Sequence, residues 1–184
     1  MCRIIYLSLL IILVRVTAQE NLTYQKPPEE ILNLVDVDLP PRVLIDENKN
    51  YMVCIYRDAY KTIKELSEEE MRLAGLRINP KTNIGSRTNY YKNIKIANLR
   101  RKNSTLKQVR GLPTEPRLSN FIWSPDQSSI AFTNTTSRGV ELLVLDVRKG
   151  IVMKLTEANV NANLGDAINW YQDGKSLLVK LVPN

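Results

Sequence analysis

The chain has 184 residues, 43% of them apolar and 24% charged, with a formal net charge of +7, no histidine and two cysteines. Without histidine there is no Ser-His-Asp or Cys-His catalytic set, no imidazole base and no imidazole metal ligand. Two cysteines exclude a four-cysteine zinc site and allow at most one disulfide. The length and apolar content suffice for a folded domain rather than a disordered chain.

Residues 1–18 read as a secretory signal peptide. Arg3 supplies the positive start, Ile4 to Val14 is an apolar run broken by Ser8, and Val16-Thr17-Ala18 offers small residues for cleavage. A bilayer span needs about 20 apolar residues, and Arg15 closes this run early. Export to the periplasm or the medium without a stable membrane anchor is the expectation. Cys2 precedes the apolar run, so it is not placed as a lipoprotein acceptor, and cleavage leaves Cys54 as the single thiol and a net charge of +5. The basic residues are scattered except for Arg100-Arg101-Lys102. That triplet reads as a solvated turn, because a nucleic-acid interface needs a larger basic face with interleaved aromatics.

Residues 19–42 form a lead-in. The pairs Pro27-Pro28 and Pro40-Pro41 bracket Glu29 to Val35, and proline followed by acids predicts a short helix there. From Arg42 the pattern is β, with short Val-, Ile-, Leu-, Tyr- and Thr-rich runs between turn residues. The predicted strands are Arg42 to Ile45, Tyr51 to Tyr56, Leu73 to Ile78, Asn89 to Leu99, Leu106 to Val109 and Asn120 to Trp123. They continue with Ser129 to Thr133, Val140 to Val147, Ile151 to Leu155, Ala167 to Trp170 and Ser176 to Leu181. One further helix is expected over Ile63 to Met71, with Ser67 and Glu70 as its capping box. The fold class that follows is all-β and antiparallel.

A repeat carries the strongest signal. Phe121-Ile-Trp-Ser-Pro-Asp-Gln-Ser-Ser-Ile-Ala-Phe132 recurs as Ile168-Asn-Trp-Tyr-Gln-Asp-Gly-Lys-Ser-Leu-Leu-Val179, at an offset of 47 residues. Trp123 matches Trp170 and Asp126 matches Asp173. Ser124, Pro125 and Asp126 suit a tight turn, Gly174 sits in its second copy, and each tryptophan supplies a large apolar body for packing between units. A period in the forties with one tryptophan and one turn aspartate per unit is the pattern of β-propeller blades. A weaker copy starts at Ile45, 78 residues before Trp123. The excess over one period is expected as an insertion, Ala59 to Thr88, ending in a long polar loop from Arg77 to Arg87.

The Trp-Ser-Pro-Asp repeat, the strand Val140-Glu-Leu-Leu-Val-Leu-Asp-Val147 and the closing Lys154-Leu-Thr156 resemble the TolB-type propeller repeat. Tyr24 to Leu44, Arg57 to Arg87 and Arg117 to Asp126 are together similar to one branch of the prolyl oligopeptidase family, the glutamyl endopeptidase-like serine peptidases of bacteria and plastids. The stretch Leu73-Ala-Gly-Leu-Arg-Ile78 is the most specific part of the likeness. The resemblance implies that residues 43–184 are the first two to three blades of an incomplete propeller. Propellers close with about 4 to 8 blades, and the 166 residues after the signal hold fewer than four periods of 47. It also implies a C-terminal α/β-hydrolase domain of the same protein as partner, peptides as substrates, and no cofactor or metal. The family's catalytic serine, aspartate and histidine have no counterpart here, since the chain has no GxSxG elbow and no histidine. The likeness departs at Asp46-Glu-Asn-Lys49, where an irregular first turn is expected. Arg77, Lys81 and Arg87 are candidates for facing peptides with acidic side chains, against the plainer reading that they bond neighbouring loop carbonyls or simply sit in water. Three Asn-x-Ser/Thr sequons, at Asn21, Asn103 and Asn134, matter only in a eukaryotic secretory pathway. Two other readings stand beside the peptidase: a non-catalytic TolB-like propeller that binds a partner, and a complete small β-sandwich in which the repeat is coincidental.

Overall fold

The computed structural model describes residues 26–183. The expected signal peptide, Cys2 and the Asn21 sequon lie outside the described residues. Two units are distinguished, residues 1–37 and residues 38–184. Within the first, α1 (Glu29–Val35) follows Pro28, whose carbonyl accepts from the amides of Ile31 and Leu32, both at 3.0 Å. Glu29 and Glu30 lie in its first turn, where negative charge complements the helix dipole.

The second unit is built of antiparallel strands. Sheet I has the order β1-β2-β6-β7, from β1 (Arg42–Ile45), β2 (Tyr51–Tyr56), β6 (Asn93–Asn98) and β7 (Lys107–Gln108). Sheet II is a consecutive meander of β8 (Leu118–Trp123), β9 (Ser129–Thr135), β10 (Val140–Asp146) and β11 (Ile151–Lys154). A hairpin of β12 (Ile168–Trp170) and β13 (Leu177–Val179) follows. Among the described residues no strand of one of these sheets pairs along its length with a strand of another, and isolated bridges such as Tyr91 with Leu118 and Arg110 with Ile151 link sheet I to sheet II.

Sheet II lies between the other two, and the burial of its strands explains their composition. On one face Ile130, Phe132, Leu143 and Leu145 pack with Val53, Ile55 and Ile94 of sheet I. On the other, Ala131, Val140, Leu142 and Val144 pack with Ile168 and, at the margin, Trp170, Leu177 and Val179. A strand buried on both faces has no polar side, so β10 reads as a near-continuous apolar run instead of an alternation. Alternation is reset in β8 by a bulge between Ser119 and Ile122, with Asn120 at φ 54°. The extra residue keeps Leu118, Phe121 and Trp123 together on the sheet I side, where a regular strand would have divided them.

The segment between β2 and β6 departs from expectation in three ways. The helix is a single turn, α2 (Ile63–Leu66), and its capping box is Thr62 with Glu65, not Ser67 with Glu70. Glu65 N donates to Thr62 Oγ1 at 3.2 Å and Thr62 N donates back to Glu65 Oε2 at 2.8 Å. Glu70 is engaged elsewhere, and the chain is already extended at Met71. The single strand expected over Leu73 to Ile78 is a hairpin of β3 (Met71–Leu73) and β4 (Leu76–Asn79). Ala74 and Gly75, at φ 45° and 89°, form the two-residue turn whose twist suits a hairpin. The expected polar loop then contains most of β4 and β5 (Ile84–Gly85), which completes a three-stranded sheet.

Candidate functional site

The three repeated turns share one backbone geometry. Ser124 N donates to Ser129 O at 2.9 Å and Gln127 N to Ser124 O at 2.9 Å. Tyr171 N donates to Ser176 O at 2.8 Å and Gly174 N to Tyr171 O at 3.1 Å. The first turn, expected to be irregular, repeats the pattern: Asp46 N donates to Tyr51 O at 3.3 Å and Lys49 N to Asp46 O at 2.9 Å. Lys49, Gln127 and Gly174 all hold a left-handed φ, of 54°, 58° and 65°.

What differs is which side chain ties each turn. Asp126 accepts from Ser124 Oγ at 2.6 Å, Ser128 Oγ at 2.8 Å and Ser128 N at 3.1 Å, and the hydroxyl of Ser124, then that of Ser128, holds its carboxyl below the usual range. Asp173 accepts from Lys175 N, Ser176 N and Ser176 Oγ, and is lowered first by the Lys175 amide. In the first turn Asp46 takes the place of Ser124 and its Oδ1 accepts from Asn50 N at 2.7 Å and Tyr51 N at 2.5 Å. Pro125 lies in the Ser124 to Asp126 turn. Trp123 packs at the margin of the core between sheets I and II. Trp170 packs at the margin of the next core and its Nε1 donates to Ile122 O at 3.2 Å.

Arg77 and Arg87 converge on one carboxylate. Glu70 Oε1 accepts from Arg77 Nη1 at 3.1 Å and Arg72 Nε at 2.7 Å, and Oε2 accepts from Ser86 Oγ at 2.7 Å with Arg87 Nε at 3.8 Å. The hydroxyl of Ser86, then Arg72, holds Glu70 at about 2 against an ordinary value of 4.5. Lys81 lies apart from this group, on a cavity of about 630 Å3 bordered also by Glu68, Thr82, Arg117 and Thr135. There Arg117 is clamped by Glu68, Nη1 to Oε1 at 2.9 Å and Nη2 to Oε2 at 3.1 Å, and lies over the ring of Tyr90 at 4.3 Å. Sequence reasoning missed both Glu70 and the Glu68–Arg117 pair. The available signal was the acid run Glu68-Glu69-Glu70, but its i,i+3 and i,i+4 spacing to Arg72 pointed to pairs on a helix rather than to Arg77, and Arg117 is 49 residues from Glu68.

Among the described residues there is no group of three or more His, Cys, Asp or Glu placed to hold a metal ion. No helix of the described residues is long and apolar enough to cross a membrane.

The second unit is thus a stack of antiparallel sheets with a repeated turn, in a chain that carries no histidine-based catalytic set. No family model matches it. It is similar to a probable chloroplastic glutamyl endopeptidase of Oryza sativa subsp. japonica, 30% identical over 172 residues that cover 87% of this chain. A second protein described in the same words, from Arabidopsis thaliana, is 28% identical over 172 residues covering 88% of the chain. The chain spans 18% of the length of either relative.

Proposed function

We propose that this chain is the N-terminal, propeller-forming part of an exported serine peptidase of the glutamyl endopeptidase type. In this reading it positions and admits peptide substrates for an α/β-hydrolase domain outside the 184 residues. The observation that carries it is the likeness over 87–88% of this chain to 18% of two probable glutamyl endopeptidases. Further support comes from the serial stacking of sheet I, sheet II and the β12–β13 hairpin, with the same turn at the same end of each. The two four-stranded sheets correspond to the first two blades and the hairpin to the start of a third. Of the three cations first considered, Arg77 donates to Glu70, whereas Arg87 lies 3.8 Å from it with most of its side chain in solvent, so a substrate-facing role stays with Lys81 and Arg87.

The gene supplies the test. An uninterrupted frame past codon 184 that reaches a GxSxG element, then aspartate and histidine, supports the peptidase; a stop codon directly after Asn184 in genomic DNA counts against it. A frame that continues through further repeats without GxSxG favours the TolB-like binding module, which the repeated turns suit equally well. Treated with a fluorophosphonate, this chain alone should show no labelled serine, because general base catalysis is worth about 10²–10⁴ in rate and no histidine is present to supply it.

A further inference from the structure

Sheet stacking gathers basic residues that are scattered along the sequence. At the outer strands of sheets I and II, on the end that carries the repeated turns, lies a cleft of about 480 Å3. Its walls include Arg101 in the loop after β6, Lys107 on β7, Arg110 just beyond it, and Arg148 and Lys149 in the turn between β10 and β11. The two segments are fixed to each other through the backbone. Arg110 N donates to Gly150 O at 2.9 Å and Val152 N donates to Arg110 O at 2.8 Å.

No acidic residue lines this cleft. Lys149 is paired with Asp146 at 3.0 Å. Arg101, Lys107, Arg110 and Arg148 have no carboxylate partner among the described residues. A lysine on an edge strand guards a sheet against pairing with another chain, and that accounts for Lys107. It does not account for three arginines in loops around the same hollow, where like charges repel and a concave wall concentrates their field.

We propose that this cleft binds a linear, non-aromatic polyanion, one that carries phosphate or sulfate groups along a flexible chain. Guanidinium forks pair with tetrahedral oxyanions through two parallel hydrogen bonds, and Asn103 and Ser104 at the rim add neutral polar groups. Nucleic acid fits less well. Tyr51 is the aromatic residue of the lining and it packs against the core between the sheets, so no free ring is offered for a base to stack on. The proposal is independent of the peptidase reading.

Equilibrium dialysis of the full chain against labelled tripolyphosphate, and in a second arm against a sulfated tetrasaccharide, reads retention whatever the oligomeric state. Saturable retention of at least one probe is expected, and the stronger arm identifies the source of the oxyanion. Raising salt from ~50 to ~200 mM should weaken binding about tenfold or more. Arg110→Glu with Arg148→Glu should weaken it about tenfold, while Lys61→Glu with Lys64→Glu, an equal change of net charge on the insertion, should change it less than about twofold. Should the arginine double variant lose the far-ultraviolet circular dichroism of the unmodified chain, Arg110→Gln with Arg148→Gln replaces it under the same expectation of weakened binding. Equal weakening by both pairs, no saturable retention of either probe, or tighter retention of a single-stranded oligonucleotide overturns the proposal.

Discussion

Gln127 holds a backbone conformation that costs an L-residue with a side chain about 1–2 kcal/mol, and its counterpart 47 residues later is Gly174, which holds it freely. Gln127→Gly is therefore expected to stabilise the chain by about 0.5–1 kcal/mol in urea unfolding. The reverse change, Gly174→Gln, should destabilise by more than that gain, because a Cβ there would meet Asp126 Cγ at 3.3 Å. Equal and opposite shifts would show that the contact between the two turns is irrelevant. Glu70 gives a pH dependence with a definite sign. Its carboxyl titrates at about 2 in the folded chain and near 4.5 when unfolded, so its contribution is complete above 4.5 and fades as the pH falls towards 2. The difference in urea midpoint between the unmodified chain and Glu70→Gln should shrink across that window; a constant difference would remove Glu70 from the account. The Asn134 sequon is closed by folding, since its amide donates to Glu141 at 3.1 Å and its carbonyl oxygen accepts from Arg117 N at 3.0 Å. At this scale the turn aspartates were legible because their spacing is local. The substitution of Asp46 for Ser124 was not, because Asp46 alone accepts from Asn50 N and Tyr51 N, a task that Asp126 and Ser124 share at Ser128 N and Ser129 N.

Among the elements, β10 shows what the stacking costs in sequence. Leu145 faces the core shared with sheet I and Leu142 the core shared with β12, each at most 1% exposed. Leu142→Ala and Leu145→Ala should each destabilise by about 2–5 kcal/mol, whereas Leu178→Ala, on a side chain 68% exposed, should stay within about 0.5 kcal/mol. A large loss at Leu178 in equilibrium unfolding would mean that another surface covers β13. The long strands were readable from their β-branched and aromatic runs, and β2, β10 and β11 begin where composition placed them. The insertion was not. Its three strands are two to four residues long, too short for a period to emerge, and Leu73 to Ile78 looks like one strand because the hairpin turn Ala74-Gly75 is itself small and apolar. Helix length failed for a related reason: two successive Ser/Thr-x-x-Glu signals exist, Thr62 to Glu65 and Ser67 to Glu70, and ion pairing to Arg72 and Arg77 removes Glu70 from the choice.

The whole molecule leaves two apolar sheet faces uncovered. On the far side of sheet I, Val43 and Ile45 are 47% and 51% exposed, and beyond the hairpin Leu178 and Leu181 stand in solvent. The ammonium of Lys180, the charge that would guard this last strand, folds back to donate to Asn163 O at 2.9 Å and to Leu164 O. Each large apolar side chain left in water forgoes roughly 1.5–3 kcal/mol of burial, against about 5–15 kcal/mol of stability for an ordinary domain. Residues 19–184 expressed alone should therefore run as oligomers in size exclusion and bind a hydrophobic dye. A sharp monomeric peak with one cooperative melting transition would contradict this and revive the self-contained sandwich. The repeat period was visible in the sequence because the turn that marks it is local and recurs with the same left-handed residue at Gln127 and Gly174. The gathering of Arg101, Arg110 and Arg148 was not, since it depends on how two sheets with no sequence adjacency lie against each other.

Cys54 sits on that same far side of sheet I, between Val43 and Lys95, and is 3% exposed. Burial pushes its thiol up, so the reactive thiolate is scarce while β1 stays paired beside it. The residue is thus a clock for the opening of the sheet. The rate at which an alkylating reagent marks the Cys54 peptide would time the detachment of β1, and any partner that covers the far face would slow that clock without touching the sulfur.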